Sequence, residues 1–314
     1  MSMVRVCFPA WRQGLLGHAA ATGLSPYVPA HSSILTSELI KLEKFLSNSR
    51  KLFVLTGAGI STESGIKDYR SEGVGHYATT THRPTNYIDF LRNPAVRQRY
   101  WARNATGWPV FSSFRPNISH RFLATLEHTG RLHWLVTQNV DNLHHKAGSR
   151  RITELHGSVF SVVCLSCKQM SPRDDLQRRI SAENPGWVAT SEGLAPDADV
   201  FVAEEAVQRF RTPLCDHCGG IMKPNVVFFG DSVPKRRVEE VNQRLEESDA
   251  CLVVGSSLET YSSYRHVCRG KELGMPLLIL NIGPTRADNL ADVKIVGRSG
   301  EAFAWLMPRI ANFA

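Results

Sequence analysis

The chain predicts an α/β protein: a Rossmann-like doubly wound parallel sheet with an inserted small zinc-binding domain. Three observations point there. Short β-rich apolar runs alternate with helical patterns along the 314 residues, the first run opens directly onto a Gly-x-Gly turn, and two Cys-x-x-Cys pairs stand near one another past the midpoint.

The first 37 residues contain no Asp or Glu, carry Arg5 and Arg12, and are rich in Ala, Ser, Gly and Leu. That composition is expected of a mitochondrial transit peptide over residues 1–28, with a disordered tail as the alternative. Because the segment holds two arginines and no acid, its removal lowers the net charge from +8 to +6. Residues 36–49 then read as an amphipathic helix, with Leu39, Leu42 and Leu46 on one face and Ser or Thr available as its cap. Apolar runs follow at 52–55, 132–136, 226–229, 251–254 and 277–280. Helical patterns separate several of them, at 94–104 (opened by Asn93 and Pro94), 119–128, 235–247 and 262–273. Near-continuous apolar strands between helices are the mark of a parallel sheet covered on both faces. The Rossmann-like domain is therefore expected over 37–157 and 223–314, interrupted by a small domain at 158–222.

With 42% hydrophobic residues the chain can build a full core. No apolar run approaches the ~20 residues of a membrane span, so no membrane partner is expected. Lysines and arginines are interspersed with acids and form no basic run interleaved with aromatics, so no nucleic acid partner is expected either.

The inserted domain rests on Cys164 and Cys167 in CLSC and Cys215 and Cys218 in CDHC. Thiolates three positions apart can both reach one tetrahedral ion, and two such claws close a four-sulfur shell with no open coordination position. The 47 residues between the claws exceed the spacing of a simple zinc ribbon. Loop closure adds only about 0.6 kcal/mol per doubling of length, against zinc binding on the order of 10 kcal/mol. Disulfides or unrelated buried thiols are the alternatives. Cys7, Cys251 and Cys268 read as bystanders in a reducing compartment.

The first strand runs into TGAGIS at 56–61. Gly57 and Gly59 there let the backbone turn sharply and approach a pyrophosphate. Thr62 replaces the third glycine of a dinucleotide fingerprint and no ribose-binding acid follows at the usual distance, so an ordinary dehydrogenase fits poorly. Polar clusters end the later strands: QNVD at 138–141, GSS at 255–257 and NIG at 281–283. Ligands of open α/β sheets bind where such clusters converge, beyond the carboxyl ends of the strands.

TGAGIS, DYR at 68–70, QNVD, ELHG, the paired cysteines, VVFFGD, GSS and NIG stand in the order found in sirtuins, and the resemblance spans about 37–310. The RYWARN stretch, the long insert and the acid-free N-terminus are most similar to the mitochondrial class II members. The resemblance implies an NAD-dependent protein-lysine deacylase of the mitochondrial matrix that holds one structural Zn2+ and acts on acylated lysines of mitochondrial proteins. The acyl oxygen would attack the nicotinamide ribose as nicotinamide leaves, and a histidine base, here His156, would then activate a ribose hydroxyl. Read without the family, a lone histidine is more often structural. Mono-ADP-ribosyl transfer at the same site is the alternative activity, and a zinc-stabilised NAD-binding module with little catalysis is a third reading.

By the same resemblance Asn139 and Asp141, flanking Val140, hold nicotinamide and order the ribose, with Gln138 on its hydroxyls. Gly57, Ala58, Gly59, Ser61, Asp68, Tyr69 and Arg70 form the turn and loop that close over NAD. Gly255, Ser256, Ser257, Asn281, Ile282 and Gly283 serve its phosphate and adenosine side, where Ser299 stands in the place of a frequent cysteine. The peptide is expected as an added strand between Val227, Phe228, Phe229 and Gly230 on one side and the segment from Leu258 on the other. The family's L-x-V-x-P is altered here to LETYS, with Thr260 and Ser262. Tyr100 and Arg103, one helical turn apart, resemble a pair that reads carboxyl-bearing acyl chains, so bulky or carboxyl-bearing groups (lipoyl, biotinyl, glutaryl-type) are expected. The acid-rich insert, with Asp197, Asp199, Glu204 and Glu205, is expected as a solvated loop, or else folded toward the acyl cleft.

Overall fold

The structure, a computed structural model, describes residues 24–191 and 193–313. The expected transit peptide thus lies almost wholly outside the described residues. Strands run in chain order as β1 (Leu52–Thr56), β2 (Leu132–Thr137), β3 (Ile152–Glu154), β4 (Gly157–Cys164), β5 (Met170–Pro172), β6 (Met222–Val226), β7 (Ala250–Val254), β8 (Leu277–Asn281) and β9 (Val293–Val296). Six of them form one parallel sheet in the order β3-β2-β1-β7-β8-β9.

Successive side chains of a strand point to opposite faces, and in a doubly wound sheet both faces are covered. In β1, Leu52 and Val54 enter a core with Leu39, Leu42, Leu46, Phe122 and Phe303. Phe53 and Leu55 of the same strand enter another with Val241, Leu245, Val267 and Ile279. All four are at most 1% exposed. Chain order reverses between β1 and β7, which leaves a crevice at their carboxyl ends.

The helix Thr36–Asn48 forms as expected but without a Ser or Thr cap: Leu35 precedes it and no side chain caps it. The helix that Asn93 caps and Pro94 opens runs on past Asn104 to Ser113, through Pro109. β3 and β9 escape the sequence reading because they are short edge strands in which apolar residues alternate with Thr, Glu or Lys. The apolar run 226–229 is not a strand of the parallel sheet. Only Val226 is in a strand, the end of β6, which pairs antiparallel with β4 in the three-stranded sheet β5-β4-β6. Four apolar residues suit a cleft wall as well as a buried strand, and periodicity cannot separate the two.

The small module draws on more chain than the 158–222 expected for it. Its core includes Phe90, Tyr100, Trp101, Trp108 and Phe111 from before the large sheet's second strand, packed with Val159, Val162, Ile180, Val200, Phe210 and Phe228. Trp101 is fully buried, and its indole N–H donates to the Met222 carbonyl at 3.1 Å, tying the long helix to β6. Arg173 is 1% exposed; its guanidinium lies over Trp101 and Trp108 at 5.4 and 4.8 Å and donates twice to Asn104. Stacking on aromatic faces and a fixed acceptor offset part of the cost of burying that charge. Of the described residues, no helix is long and apolar enough to cross a membrane.

Candidate active site

A cleft of about 1210 Å³ opens between the two modules at the carboxyl ends of the parallel strands. Glycines shape its floor. A Cβ on Gly57 would lie 2.7 Å from the Ser256 Cβ, and one on Gly59 would lie 2.8 Å from the Gly255 carbonyl. Gly255 itself has φ +59°, and a Cβ there would meet the Ile60 nitrogen at 2.4 Å. The two turns therefore pass backbone against backbone, as the first βα turn of a dinucleotide site requires. The turn after β1 continues as a 3-10 helix, Ala58–Ser64.

Behind that turn, QNVD forms a closed polar network. The Asn139 amide donates to the Gly57 carbonyl and the Ser61 hydroxyl at 3.1 Å each. Ser61 donates to Asp141 at 2.7 Å, and Asp141 accepts the Leu143 N–H at 2.9 Å. Burial raises the pKa of Asp141, and these donors oppose the rise. Gln138 donates to Ser256 at 2.8 Å and accepts from Thr260 at 3.0 Å.

His156 follows β3 on the same floor. Its Nδ1 lies 3.0 Å from the Gln138 carbonyl oxygen, which can only accept, so Nδ1 carries the proton. Nε2 then holds the lone pair and accepts from the Ser262 hydroxyl at 2.8 Å. Burial is the main cause that lowers the pKa of His156 from 6.5 to about 4, with Arg237 adding to the fall and the Gln138 bond resisting it. The ring is neutral at pH 7 and can accept a proton at Nε2.

On the loop that follows the 3-10 helix, Asp68 accepts the N–H groups of Arg70 and Ser71 at 3.2 and 2.9 Å, while Tyr69 packs edge-on against His76 and Phe229. Across the cleft the Asn281 amide donates to the Gly283 carbonyl at 2.9 Å. Ser299 lines the cleft, and its hydroxyl is paired with Ser119 at 2.9 Å. Ala58, Val140, Ser257 and Ile282 also line the cleft, as do Val227, Phe228, Phe229 and Gly230.

Two expected substrate residues do not line it. Leu258 is 1% exposed and belongs to the core beneath the sheet; it follows Ser256 and Ser257 with φ +58°, which turns its side chain inward. Arg103 bonds through Nε to Asp199 at 3.0 Å and to the Val200 carbonyl. Its Nε holds the insert, and the side chain does not line the cleft. Tyr100 does line the cleft, against Phe90 and Phe228. The insert is not a solvated loop: Ala195, Ala198, Val200 and Val202 are buried, and Asp197 and Asp199 line the cleft near Tyr100. Burial and then Asp199 push Asp197 up to about 6, and its Oδ1 is buried without a partner. Asp199 is held by Arg103 and by His82 at 2.7 Å.

Sequence reasoning missed several lining residues. Glu63 accepts from Arg298 at 2.7 Å and from the Gly300 N–H at 2.9 Å; its place just after TGAGIST was a signal, but a partner 235 residues away was not. Thr260 and Ser262 stood out only as departures from the family pattern. Pro29 and Ala30 also line the cleft.

At the far end of β4 the four cysteine sulfurs lie within 4.8 Å of one another. The Cys164–Cys218 and Cys167–Cys215 separations are 3.5 and 3.7 Å, close to the ~3.8 Å between sulfurs that each lie ~2.3 Å from a tetrahedral zinc. Each claw turns tightly, with Lys168 N–H on the Cys164 carbonyl at 3.0 Å and Gly219 N–H on the Cys215 carbonyl at 2.8 Å. The four residues fit a structural Zn2+ and leave His156 outside the shell.

The Sir2 family pattern matches residues 57–262. The chain belongs to the Sir2 family. Among its sirtuin relatives, the human "NAD-dependent protein lipoamidase sirtuin-4, mitochondrial" is 53% identical over 92% of this chain and 91% of its own. The Drosophila melanogaster "NAD-dependent protein deacylase Sirt4" is 47% identical over 94% and 93%. A solved "Sir2-p53 peptide-NAD+" complex has a TM-score of 0.69 at 28% identity, covering 87% of this sirtuin and 98% of that chain.

Proposed function

We propose that this sirtuin is a mitochondrial NAD-dependent protein-lysine deacylase of the matrix that favours bulky uncharged acyl groups. One observation carries the reading: His156 presents the lone pair of a neutral imidazole inside a glycine-lined cleft at the carboxyl ends of a doubly wound sheet. Bound NAD supplies a ribose carbon that loses nicotinamide. Asn139, Asp141 and Ser61, pre-joined on the floor, would orient that ribose, Gln138 would meet its hydroxyls while holding Ser256 toward the phosphate side, and His156 would take up a hydroxyl proton at Nε2. The segment Val227–Phe229 and the wall from Glu259 would give the acyl-lysine peptide two edges. Two mammalian relatives are named lipoamidases and mitochondrial, which supports a bulky acyl group and the organelle. The acyl end departs from the carboxylate-reading expectation: Arg103 is paired with Asp199 and does not line the cleft, while Asp197, whose Oδ1 has no partner, lines it and disfavours a second carboxylate there.

The test is a panel of lipoyl-, biotinyl-, glutaryl- and acetyl-lysine peptides with NAD, on wild type and His156→Tyr. Lipoyl or biotinyl substrates are expected to exceed glutaryl in kcat/KM, O-acyl-ADP-ribose is the expected product by mass, and His156→Tyr is expected to lose on the order of 10²–10⁴ in rate. A glutaryl preference would overturn the acyl assignment. A protein gaining ADP-ribose, or full activity in His156→Tyr, would overturn the reaction.

A further inference from the structure

Ser262 is the second residue of the helix Tyr261–Glu272, on the cleft wall that faces β3. Its hydroxyl lies 2.8 Å from the His156 Nε2. A protonated Nδ1, fixed by the Gln138 carbonyl, makes Ser262 the donor in that bond. The contact is part of a closed circuit. Thr260, two residues before Ser262, donates to the Gln138 side chain at 3.0 Å, and its Oγ1 is also 2.8 Å from the Ser263 hydroxyl. Gln138 thus holds the imidazole through its backbone and the helix start through its side chain, and Ser262 closes the loop on the other ring nitrogen. A buried lone pair left without a donor costs free energy, and an imidazole bonded at one nitrogen alone can swing about its χ angles. A bond at each nitrogen removes both problems.

We infer that Ser262 is a resting-state cap on His156, its hydroxyl occupying at Nε2 the place that the substrate ribose hydroxyl takes in turnover. The inference rests on the reading of His156 as the base. When the ribose hydroxyl arrives, it replaces the serine as donor to Nε2, and the serine hydroxyl rotates aside about its Cα–Cβ bond. Ser262 thus holds the ring in place until the substrate arrives, the tautomer being set by the Gln138 carbonyl at Nδ1, and the bond to the serine is given up before the base acts.

The departure of nicotinamide precedes the use of the base, so exchange of labelled nicotinamide into NAD reports the site without the base, and O-acyl-ADP-ribose reports it with the base. In Ser262→Ala the ratio of product formation to exchange is expected to rise about fivefold, the worth of one neutral hydrogen bond that no longer has to be broken before Nε2 can accept. Ser262→Thr, which keeps the hydroxyl, is expected to restore the ratio. An unchanged or lowered ratio in Ser262→Ala overturns the inference, as does a joint fall of both rates that leaves the ratio intact, which marks a structural role. An equal change in Ser262→Thr and Ser262→Ala also overturns it, since the hydroxyl would then not be the cause. His156→Tyr separates the two readings: if it still forms product, the base assignment fails; if it does not and Ser262→Ala is silent, only the Ser262 inference fails.

Discussion

At the scale of single residues, the chain holds an uncommon number of imidazoles away from water. Burial lowers His120 to about 3, His76, His156 and His266 to about 4, and His144 well below its ordinary value. His120 and His144 pack with ring centroids 4.7 Å apart, a contact that two cations would not tolerate. An unfolded histidine binds its proton near pH 6.5, whereas these bind theirs only at much lower pH in the folded chain, so the unfolded state takes up more protons and stability falls as pH drops below 6.5. At pH 5 His120 alone accounts for about 2 kcal/mol. Glu154, raised to about 7, Asp197, raised to about 6, and Asp141, raised by burial as well, act in the opposite direction, since their folded forms take up protons first. The five imidazoles outweigh these three carboxyls. Urea titrations at pH 7.5 and pH 5 are expected to show a clear loss at the lower pH; equal or greater stability there would contradict the assignment.

At the scale of elements, the insert is placed by the helix Pro94–Ser113. A Cβ on Gly107 would lie 2.3 Å from the Ala198 carbonyl and 3.0 Å from Val200, so the loop backbone can lie against the helix only because a glycine is there. Arg103, one turn earlier, anchors Asp199 and the Val200 carbonyl, and Gln98 donates to the Phe210 carbonyl at 2.7 Å. Gly107→Ala is expected to push the loop off the helix, with a stability loss of about 1–3 kcal/mol from overpacking and a flatter preference among acyl groups as Asp197 leaves the cleft. Thermal melts and the acyl panel measure both; an unshifted melting temperature with an unchanged acyl ranking would refute the packing argument. None of this was legible in sequence. Tyr100 and Arg103 stood out as a pair one turn apart, but the partner that engages the arginine arrives from 96 positions further along the chain.

At the scale of the whole molecule, two modules share one cleft. The six-stranded sheet is stabilised by apolar cores on both of its faces. The smaller module has a three-stranded sheet, an apolar core and a four-cysteine site that fits a structural zinc, whose binding would add on the order of 10 kcal/mol. Zinc chelation, or Cys215→Ser, is expected to loosen that module and abolish deacylation while most far-UV signal from the large sheet persists. Trp101 and Trp108 are buried in the module's core and Trp187 packs against it, so tryptophan emission should shift to the red on zinc loss. Activity and emission that survive full chelation would show that the module holds without metal.

Sequence alone determined the parts whose chemistry is local. Alternating apolar runs and helices demand a parallel sheet covered on both faces, a strand ending in Gly-x-Gly places a phosphate-sized turn, and paired Cys-x-x-Cys claws specify a tetrahedral sulfur shell whatever joins them. The tertiary structure decided what depends on approach between distant segments. It turned the 226–229 run from a sheet strand into a cleft wall, sent Leu258 into the core, gave Arg103 to Asp199, folded the insert onto Gly107, and brought Ser262 against His156. A motif states which groups a site can offer; their orientation and their charge at pH 7 are set by partners and by exclusion of water, which exist only once the chain has packed.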